Sequence, residues 1–95
     1  MHILRIEHPV PTFEAWKEAF DSDPMQRRAS GVRGYRVMRP SDDPSYVLVD
    51  LEFDGEAEAE AFGARLRELW RGAEAAGIMR NPQARIVEVA ESRAL

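Results

Sequence analysis

The chain has 95 residues, of which 44% are hydrophobic and 32% are charged, and its formal net charge is −4. This length predicts one domain with a single, modest core. The acidic balance argues against a nucleic-acid partner, because phosphate contacts need a clustered basic face. Cysteine is absent, which excludes disulfides, thiolate catalysis and cysteine-based zinc sites.

Membrane and export signals are not found in the sequence. The apolar runs are all shorter than the ~20 residues that a helix needs to span a bilayer. The first residues carry a charge every few positions and lack the apolar core of a signal peptide. We therefore expect a cytoplasmic protein without a membrane partner.

The chain begins with an alternating segment, His2–His8, which predicts a strand. Leu4 and Ile6 point to one face, and the other face carries Ile3, Arg5 and Glu7. Thr12 then suits the N-cap of a helix. The aromatic residues of that helix share one stripe by their spacing: Phe13, Trp16 and Phe20.

A second, short helix is predicted over Pro24–Ala29. Asp23 would be its N-cap, Pro24 its first residue and Gly31 its C-terminal stop. The next segment, residues 31–53, reads as a hairpin of two strands, Val32–Arg39 and Tyr46–Phe53. The loop between them consists of turn-forming residues.

The hairpin has two unlike faces. One carries a continuous apolar row on its second strand, which helices must cover: Val47, Val49, Leu51 and Phe53. A long helix is predicted over Gly55–Gly72 with Asp54 as its N-cap. Its apolar stripe contains Ala59, Phe62, Leu66, Leu69 and Ala73.

A return loop, under which Ile78 and Met79 are expected to pack, leads to a last strand, Arg85–Glu91. The order of elements is therefore β-α-β-β-α-β. This order is typical of the α+β, ferredoxin-like split-βαβ fold. It implies a four-stranded antiparallel sheet in strand order 4-1-3-2, with both long helices on one face.

The other face of the sheet, which we call the open face, mixes apolar and charged side chains. Apolar residues are unfavourable in water, and charges are costly in a dry interior unless they are paired. Such a mixture fits a partly closed interface or a wet cavity. By alternation the predicted open face carries Ile3, Arg5, Glu7, Arg36, Met38, Tyr46, Leu48, Asp50, Glu52, Ile86 and Glu88.

These segments resemble the dimeric α+β-barrel superfamily over essentially the full chain. The resemblance rests on the strand HILRIEH, the helix TFEAWKEAF, the hairpin of residues 31–53, the helix ending FGARLRELW and the strand ARIVEVAE. Members include antibiotic-biosynthesis monooxygenase-type proteins, cyclase-like and isomerase-like enzymes, and stress-responsive proteins. The resemblance implies a homodimer that joins through the open sheet faces. It carries over no catalytic residue and no cofactor.

The candidate site residues come from the open face and from one histidine. Two guanidiniums facing two carboxylates could bind a carboxylate or polarise a carbonyl, or could form a structural salt-bridge network. The predicted cluster contains Arg5, Arg36, Asp50 and Glu88, with Tyr46 as a further binding candidate. His8 is the candidate for proton transfer, because histidine titrates near neutral pH. His8 and His2 are too far apart along a strand to share a metal, and we predict no metal site.

Three functions fit this pattern. The first is a cofactor-independent enzyme or binder of a small aromatic or carboxylated metabolite, with a pocket containing Tyr46, Arg36, Asp50 or His8. The second is a non-catalytic dimeric structural or interaction module with a filled core. The third is a regulatory ligand-binding domain, against which the absence of an attached effector domain counts. The first requires a pocket of about 300 Å³ or more, and the second requires that none be present.

Overall fold

The computed structural model of the protein describes residues 1–75 and 81–95. Its elements are β1 (His2–Pro9), α1 (Phe13–Asp21), β2 (Gly34–Met38), β3 (Tyr46–Phe53), α2 (Glu56–Ala75) and β4 (Gln83–Glu88). The four strands form one antiparallel sheet in the order β2-β3-β1-β4. The predicted ferredoxin-like topology and strand order are confirmed. Neither described helix is long and apolar enough to cross a membrane.

Helix α1 begins with the predicted N-cap, Thr12. Thr12 has an extended backbone, and its side-chain oxygen accepts a hydrogen bond from the backbone N–H of Ala15 at 3.3 Å. The predicted cap of α2 differs. Helix α2 begins at Glu56, and Asp54 lies outside it with its carboxylate 2.8 Å from the guanidinium of Arg33. The negative charges of the first turn of α2 still suit the helix dipole.

The predicted helix over Pro24–Ala29 is wrong, because this segment forms a series of turns. Asp23 and Gln26 have φ angles of 54° and 49°, which a right-handed helix does not contain. The carboxylate of Asp23 accepts a hydrogen bond from the backbone N–H of Arg27 at 2.9 Å. This turn stabilises the connection from α1 to β2 without a helix. The predicted packing of Ile78 and Met79, and the side chain of Ala73, lie outside the described residues.

The core lies between the sheet and the helices. The apolar row of β3 is at most 2% exposed, as predicted, and Leu4 of β1 is fully buried beside it. Helix α2 covers these strands with three residues of its predicted stripe, whereas Leu69 of that stripe is 44% exposed. Its buried residues are Ala59, Phe62, Leu66 and Trp70. Helix α1 has no fully buried residue, and its three aromatic rings are only half-buried against the core.

The two faces of the last strand, β4, are exchanged relative to the prediction. Residues directly opposite each other in an antiparallel pair share a face. Leu4 lies opposite Ile86, and His2 lies opposite Glu88. Ile86 and Glu88 are therefore on the helix face, where Ile86 packs against the core. The open face instead receives Arg85, opposite Arg5, and its neighbour Val87.

Candidate functional site

A cavity of about 550 Å³ lies between the sheet and the two helices. It exists because α1 rests on the sheet through large, half-buried rings, whereas α2 packs closely. The strands provide Ile6, His8, Val49 and Leu51, and α1 provides Trp16 and Phe20. Helix α2 provides Phe62, Leu66 and Trp70. The lining is therefore mainly aromatic and aliphatic, which suits an apolar ligand.

His8 is the cavity residue that titrates near neutral pH. Its side chain is 2% exposed, and its ring makes an edge-on contact with Trp16 at a centroid distance of 6.2 Å. Burial lowers the pKa of His8 below its ordinary value of 6.5, and a hydrogen bond with the Pro9 carbonyl opposes this only in part. His8 is therefore neutral at pH 7.

The tautomer of His8 follows from its neighbour. Nδ1 lies 3.0 Å from the carbonyl oxygen of Pro9. A carbonyl oxygen only accepts, so Nδ1 carries the proton and donates it. Nε2 of the neutral ring then holds a lone pair, since the hydrogen bond that His8 makes within residues 1–75 and 81–95 uses Nδ1. His8 can thus accept a hydrogen bond or a proton from a ligand.

A row of aromatic rings runs along α1 toward the rim of the cavity. Trp16 and Phe20 stack at a centroid distance of 5.0 Å, and Phe20 meets the edge of Tyr35 at 5.1 Å. The guanidinium of Arg27 lies over the Phe20 ring at 3.9 Å. Stacking of this kind fixes the rings relative to one another. The cavity wall is therefore built before a ligand arrives.

The charged cluster lies on the opposite side of the sheet. Asp50 is fully buried, and Arg5 binds both of its carboxylate oxygens at 2.8 Å. Arg36 adds a third contact at 3.3 Å. The hydrogen bond from Arg5 is the main reason that the pKa of Asp50 is lowered, and the same pairing raises the pKa of Arg5. Asp50 is therefore ionised and nearly saturated with donors.

Tyr46 and Glu7 form a second pair on this open face. The phenol of Tyr46 donates to Glu7 Oε1 at 2.7 Å. This hydrogen bond raises the pKa of Tyr46, because the neutral phenol is the donor. Tyr46 is thus held as a neutral hydrogen-bond donor to a carboxylate of its own chain.

The structure separates the candidate residues into two groups. Arg5, Arg36, Asp50 and Tyr46 come together on the open face, as the alternation predicts. Glu88 does not join them, because β4 places it opposite His2 on the helix face. The cavity contains His8 of the predicted pocket residues, and it does not contain Tyr46, Arg36 or Asp50.

Sequence reasoning missed the part that Arg27 has in the cavity wall. Two adjacent arginines are usually solvated, yet the Arg27 side chain is only 16% exposed. The one feature of the sequence that could have indicated this contact is the separation of seven residues between Arg27 and Phe20. At that separation the two side chains meet only if the chain reverses its direction between them. The two positive φ angles of the connection produce that turn.

Comparison with known proteins shows the fold. No protein-family model and no curated protein matches the sequence. Among solved structures, a provisionally assigned antibiotic biosynthesis monooxygenase from Nitrosomonas europaea is 22% identical. The match covers 96% of this chain and 100% of that chain, with a TM-score of 0.70.

Two further structures are similar at lower identity. A provisionally assigned antibiotic biosynthesis monooxygenase from Deinococcus radiodurans is 13% identical, with 100% of this chain and 98% of that chain covered and a TM-score of 0.69. A dimeric ferredoxin-like protein from an uncultured marine organism is 12% identical, with 97% of each chain covered and a TM-score of 0.72. The resemblance drawn from the sequence is confirmed at the level of the fold.

Proposed function

We propose that this protein is a homodimer whose subunits each bind a small, largely aromatic molecule in the cavity between sheet and helices. In this proposal His8 accepts a hydrogen bond from the ligand, and the open face joins the two subunits. Proton abstraction by His8 would make the protein a cofactor-independent enzyme. A cytoplasmic location, expected from the sequence, stays part of the proposal.

The size and lining of the cavity support the binding function. Ligand pockets are commonly about 300–1,000 Å³ and mostly apolar, with few polar groups to orient the ligand. The volume here is about 550 Å³. The alternative of a module with a filled core requires that this space be absent, so the cavity argues against it.

The position of His8 supports the polar part of the proposal. A buried, neutral imidazole whose Nδ1 is bonded to the backbone offers Nε2 as an acceptor. An O–H group on an aromatic ring is a matching donor. Burial keeps this acceptor available at neutral pH, because the protonated ring is disfavoured among apolar neighbours.

A direct test uses 2-naphthol as the probe and the two tryptophans of the chain as reporters. Trp16 and Trp70 both line the cavity, so their indole N–H signals in nitrogen–proton NMR spectra should shift on binding. His8→Phe keeps an aromatic ring but removes the acceptor, and we expect it to weaken binding about tenfold. His2→Phe is the matched control, because His2 does not line the cavity, and it should leave binding unchanged.

Two outcomes would contradict the binding proposal. Indole signals that stay fixed up to millimolar 2-naphthol would show that the cavity does not take an aromatic ligand. Equal weakening by His8→Phe and His2→Phe would show that His8 has no specific role.

The open face supports the dimer. Half-buried Met38 and Leu48 lie beside the Arg5–Asp50–Arg36 cluster, and Val87 completes the apolar part on β4. Burying the same face of a second copy would remove apolar area from water on both sides at once. Two neighbours with this fold are described as dimeric ferredoxin-like proteins, which supports a dimer.

Sedimentation of the wild-type protein should give twice the 10.8 kDa mass of one chain. Leu48→Glu places a charge in the proposed interface, so the dissociation constant of the dimer should rise at least tenfold. Leu69→Glu is the control, because Leu69 is 44% exposed on α2, away from the open face. A wild-type monomer at micromolar concentration, or a Leu48→Glu dimer of unchanged affinity, would remove the open-face dimer.

A further inference from the structure

Arg27 gives the cavity a charged wall. Among the described residues that line the cavity, Arg27 is the one with a charged side chain. The side chain is 16% exposed, although arginine is among the residues that are least often buried. A positive charge at an apolar cavity needs a reason, because burial without a partner is costly.

The guanidinium is held in place by its neighbours. Nη1 donates to the backbone oxygen of Phe20 at 2.7 Å. The charged group lies over the Phe20 ring at 3.9 Å and over the Tyr35 ring at 5.0 Å. Two ring contacts and one strong hydrogen bond restrict its rotamer before any ligand binds. Such restriction lowers the entropy cost of recognition.

Part of the guanidinium is left for a ligand. The group has five N–H donors in a fixed plane. Its recorded polar contacts, to Phe20 O and to Asp23 Oδ1, both use Nη1. Within the described part of the chain, Nε and Nη2 therefore have no protein acceptor. Two such N–H groups can bind both oxygens of one carboxylate in parallel.

Asp23 does not complete the pairing of this charge. Its Oδ1 lies 3.4 Å from Nη1, and its side chain is 39% exposed. The same oxygen accepts the backbone N–H of Arg27 at 2.9 Å. Asp23 thus primarily closes the turn, and water screens its attraction to the guanidinium. The charge of Arg27, which lines the cavity, therefore remains partly uncompensated.

We propose that the ligand of this cavity is an aromatic carboxylate, with its carboxylate bound by Arg27 and its ring packed against Trp16 and Phe20. This rests on the proposed function and names the ligand class. Arg27 is then the specificity residue that selects anionic over neutral aromatic molecules. The rings supply affinity for both kinds of molecule, so the charge decides between them.

The experiment compares two probes of nearly equal shape, 2-naphthoate and the neutral 2-naphthamide. Binding is measured by calorimetry at pH 7.5 and located by the indole signals of Trp16 and Trp70. Wild-type protein should bind naphthoate about tenfold more tightly than naphthamide, as expected for a charge-assisted pair. Arg27→Met should abolish this preference while leaving naphthamide affinity within about twofold.

Two further variants complete the test. Arg28→Met removes the same charge from an exposed neighbour, and it should keep the preference. Asp23→Asn should increase the preference, because it removes the competing carboxylate, and asparagine tolerates the positive φ of this position. Thermal unfolding of all variants controls for loss of fold, and Arg27→Lys, which keeps the charge without the fork, should retain only part of the preference.

The outcomes separate this inference from the proposed function. If 2-naphthol or naphthamide binds but naphthoate is not preferred, the carboxylate inference is overturned and the binding function stands. If Arg27→Met and Arg28→Met reduce the preference equally, the effect is general electrostatics and Arg27 is not the specificity residue. If no probe binds, both proposals fail together.

Discussion

The two faces of the sheet hold their buried titratable groups in opposite charge states. Under the helices, His8 is surrounded by rings, and desolvation lowers its pKa, so it is neutral. On the open face, Asp50 is just as buried, but Arg5 and Arg36 lower its pKa, so it is charged. Partners within hydrogen-bond distance, and not burial alone, therefore decide the charge of a buried group.

Asp50 and His8 also differ in their capacity to bind a ligand. The oxygens of Asp50 accept three contacts from two guanidiniums, so this cluster has little capacity for a ligand. His8 donates one hydrogen bond and keeps Nε2 available. The larger set of charges is therefore better suited to an interface, and the single histidine is better suited to a site.

The largest expected effect tests that the helix face is the apolar core. Phe62 is 3% exposed and meets Phe53 at a centroid distance of 5.6 Å. Phe62→Ala should lower the free energy of unfolding by about 3–5 kcal/mol, because it removes apolar contacts and enlarges a space that already exists. Urea unfolding measures this. Leu69→Ala, at a 44% exposed position of the same helix, should cost less than about 1 kcal/mol, and equal costs would contradict the assigned core.

The second prediction concerns the charged group of the open face. Asp50→Asn leaves two guanidiniums without their carboxylate, and we expect a loss of about 3 kcal/mol in the free energy of unfolding at pH 7. Arg5 and Arg36 are 45% and 65% exposed, so water limits the loss to the low end for a buried pair. The control is Asp54→Asn, which breaks an exposed pair with Arg33 and should cost below about 1 kcal/mol.

The pH dependence of unfolding of wild type and Asp50→Asn should show the contribution of the Asp50 carboxylate. Its pKa is lower in the folded protein than its ordinary value of 3.8. The stabilisation is therefore full above the unfolded-state pKa and is lost as pH falls through the folded-state pKa. Asp50→Asn should be less sensitive to acid than wild type in that window. A variant with the same acid limb as wild type would show that Asp50 is not the titrating group.

The third prediction concerns the rings above the cavity. Trp16 is half-buried and borders empty space, so Trp16→Ala should cost about 1–2 kcal/mol, below the usual range for a fully buried tryptophan. A fully buried tryptophan would cost about 3–5 kcal/mol instead. The same variant should weaken 2-naphthol binding about tenfold by removing a stacking partner. A cost above about 3 kcal/mol with unchanged binding would make Trp16 a core residue instead.

The sequence predicts the fold well where its patterns have one reading. The β3 row from Val47 to Phe53 is apolar at every second position, so its face is determined. The last strand is different, because both sets of alternate residues contain an aliphatic side chain, Ile86 in one set and Val87 in the other. Alternation cannot choose between them, and the register with β1 decides. Glu88 was assigned to the charged cluster for this reason.

The candidate site was less predictable, because it depends on a space between elements. The pairing of Arg5 and Arg36 with Asp50 follows from strand alternation and adjacency. The cavity depends on how far the half-buried rings of α1 hold that helix from the sheet, which periodicity does not encode. Arg27 enters the wall only through the turn at Asp23 and Gln26. Aspartate is enriched among non-glycine residues with positive φ but glutamine is not, so the sequence does not mark both positions of this turn.

The smallest change that we expect is a pH dependence of the free energy of unfolding caused by His8. It tests that His8 is neutral under the helices. The folded-state pKa of His8 is below 6.5, so below pH 6.5 the unfolded chain binds a proton that the folded chain does not. The free energy of unfolding should therefore be full above pH 6.5 and decrease as pH falls toward the folded-state pKa. This window lies above the one in which Asp50 acts, so the two groups can be separated. Thermal unfolding between pH 7.5 and 5.5 should show the decrease in wild type and a smaller one in His8→Phe. Direct NMR titration of the His8 ring assigns the group, because a midpoint at or above 6.5 would mean that the imidazole is solvated or paired with an acid.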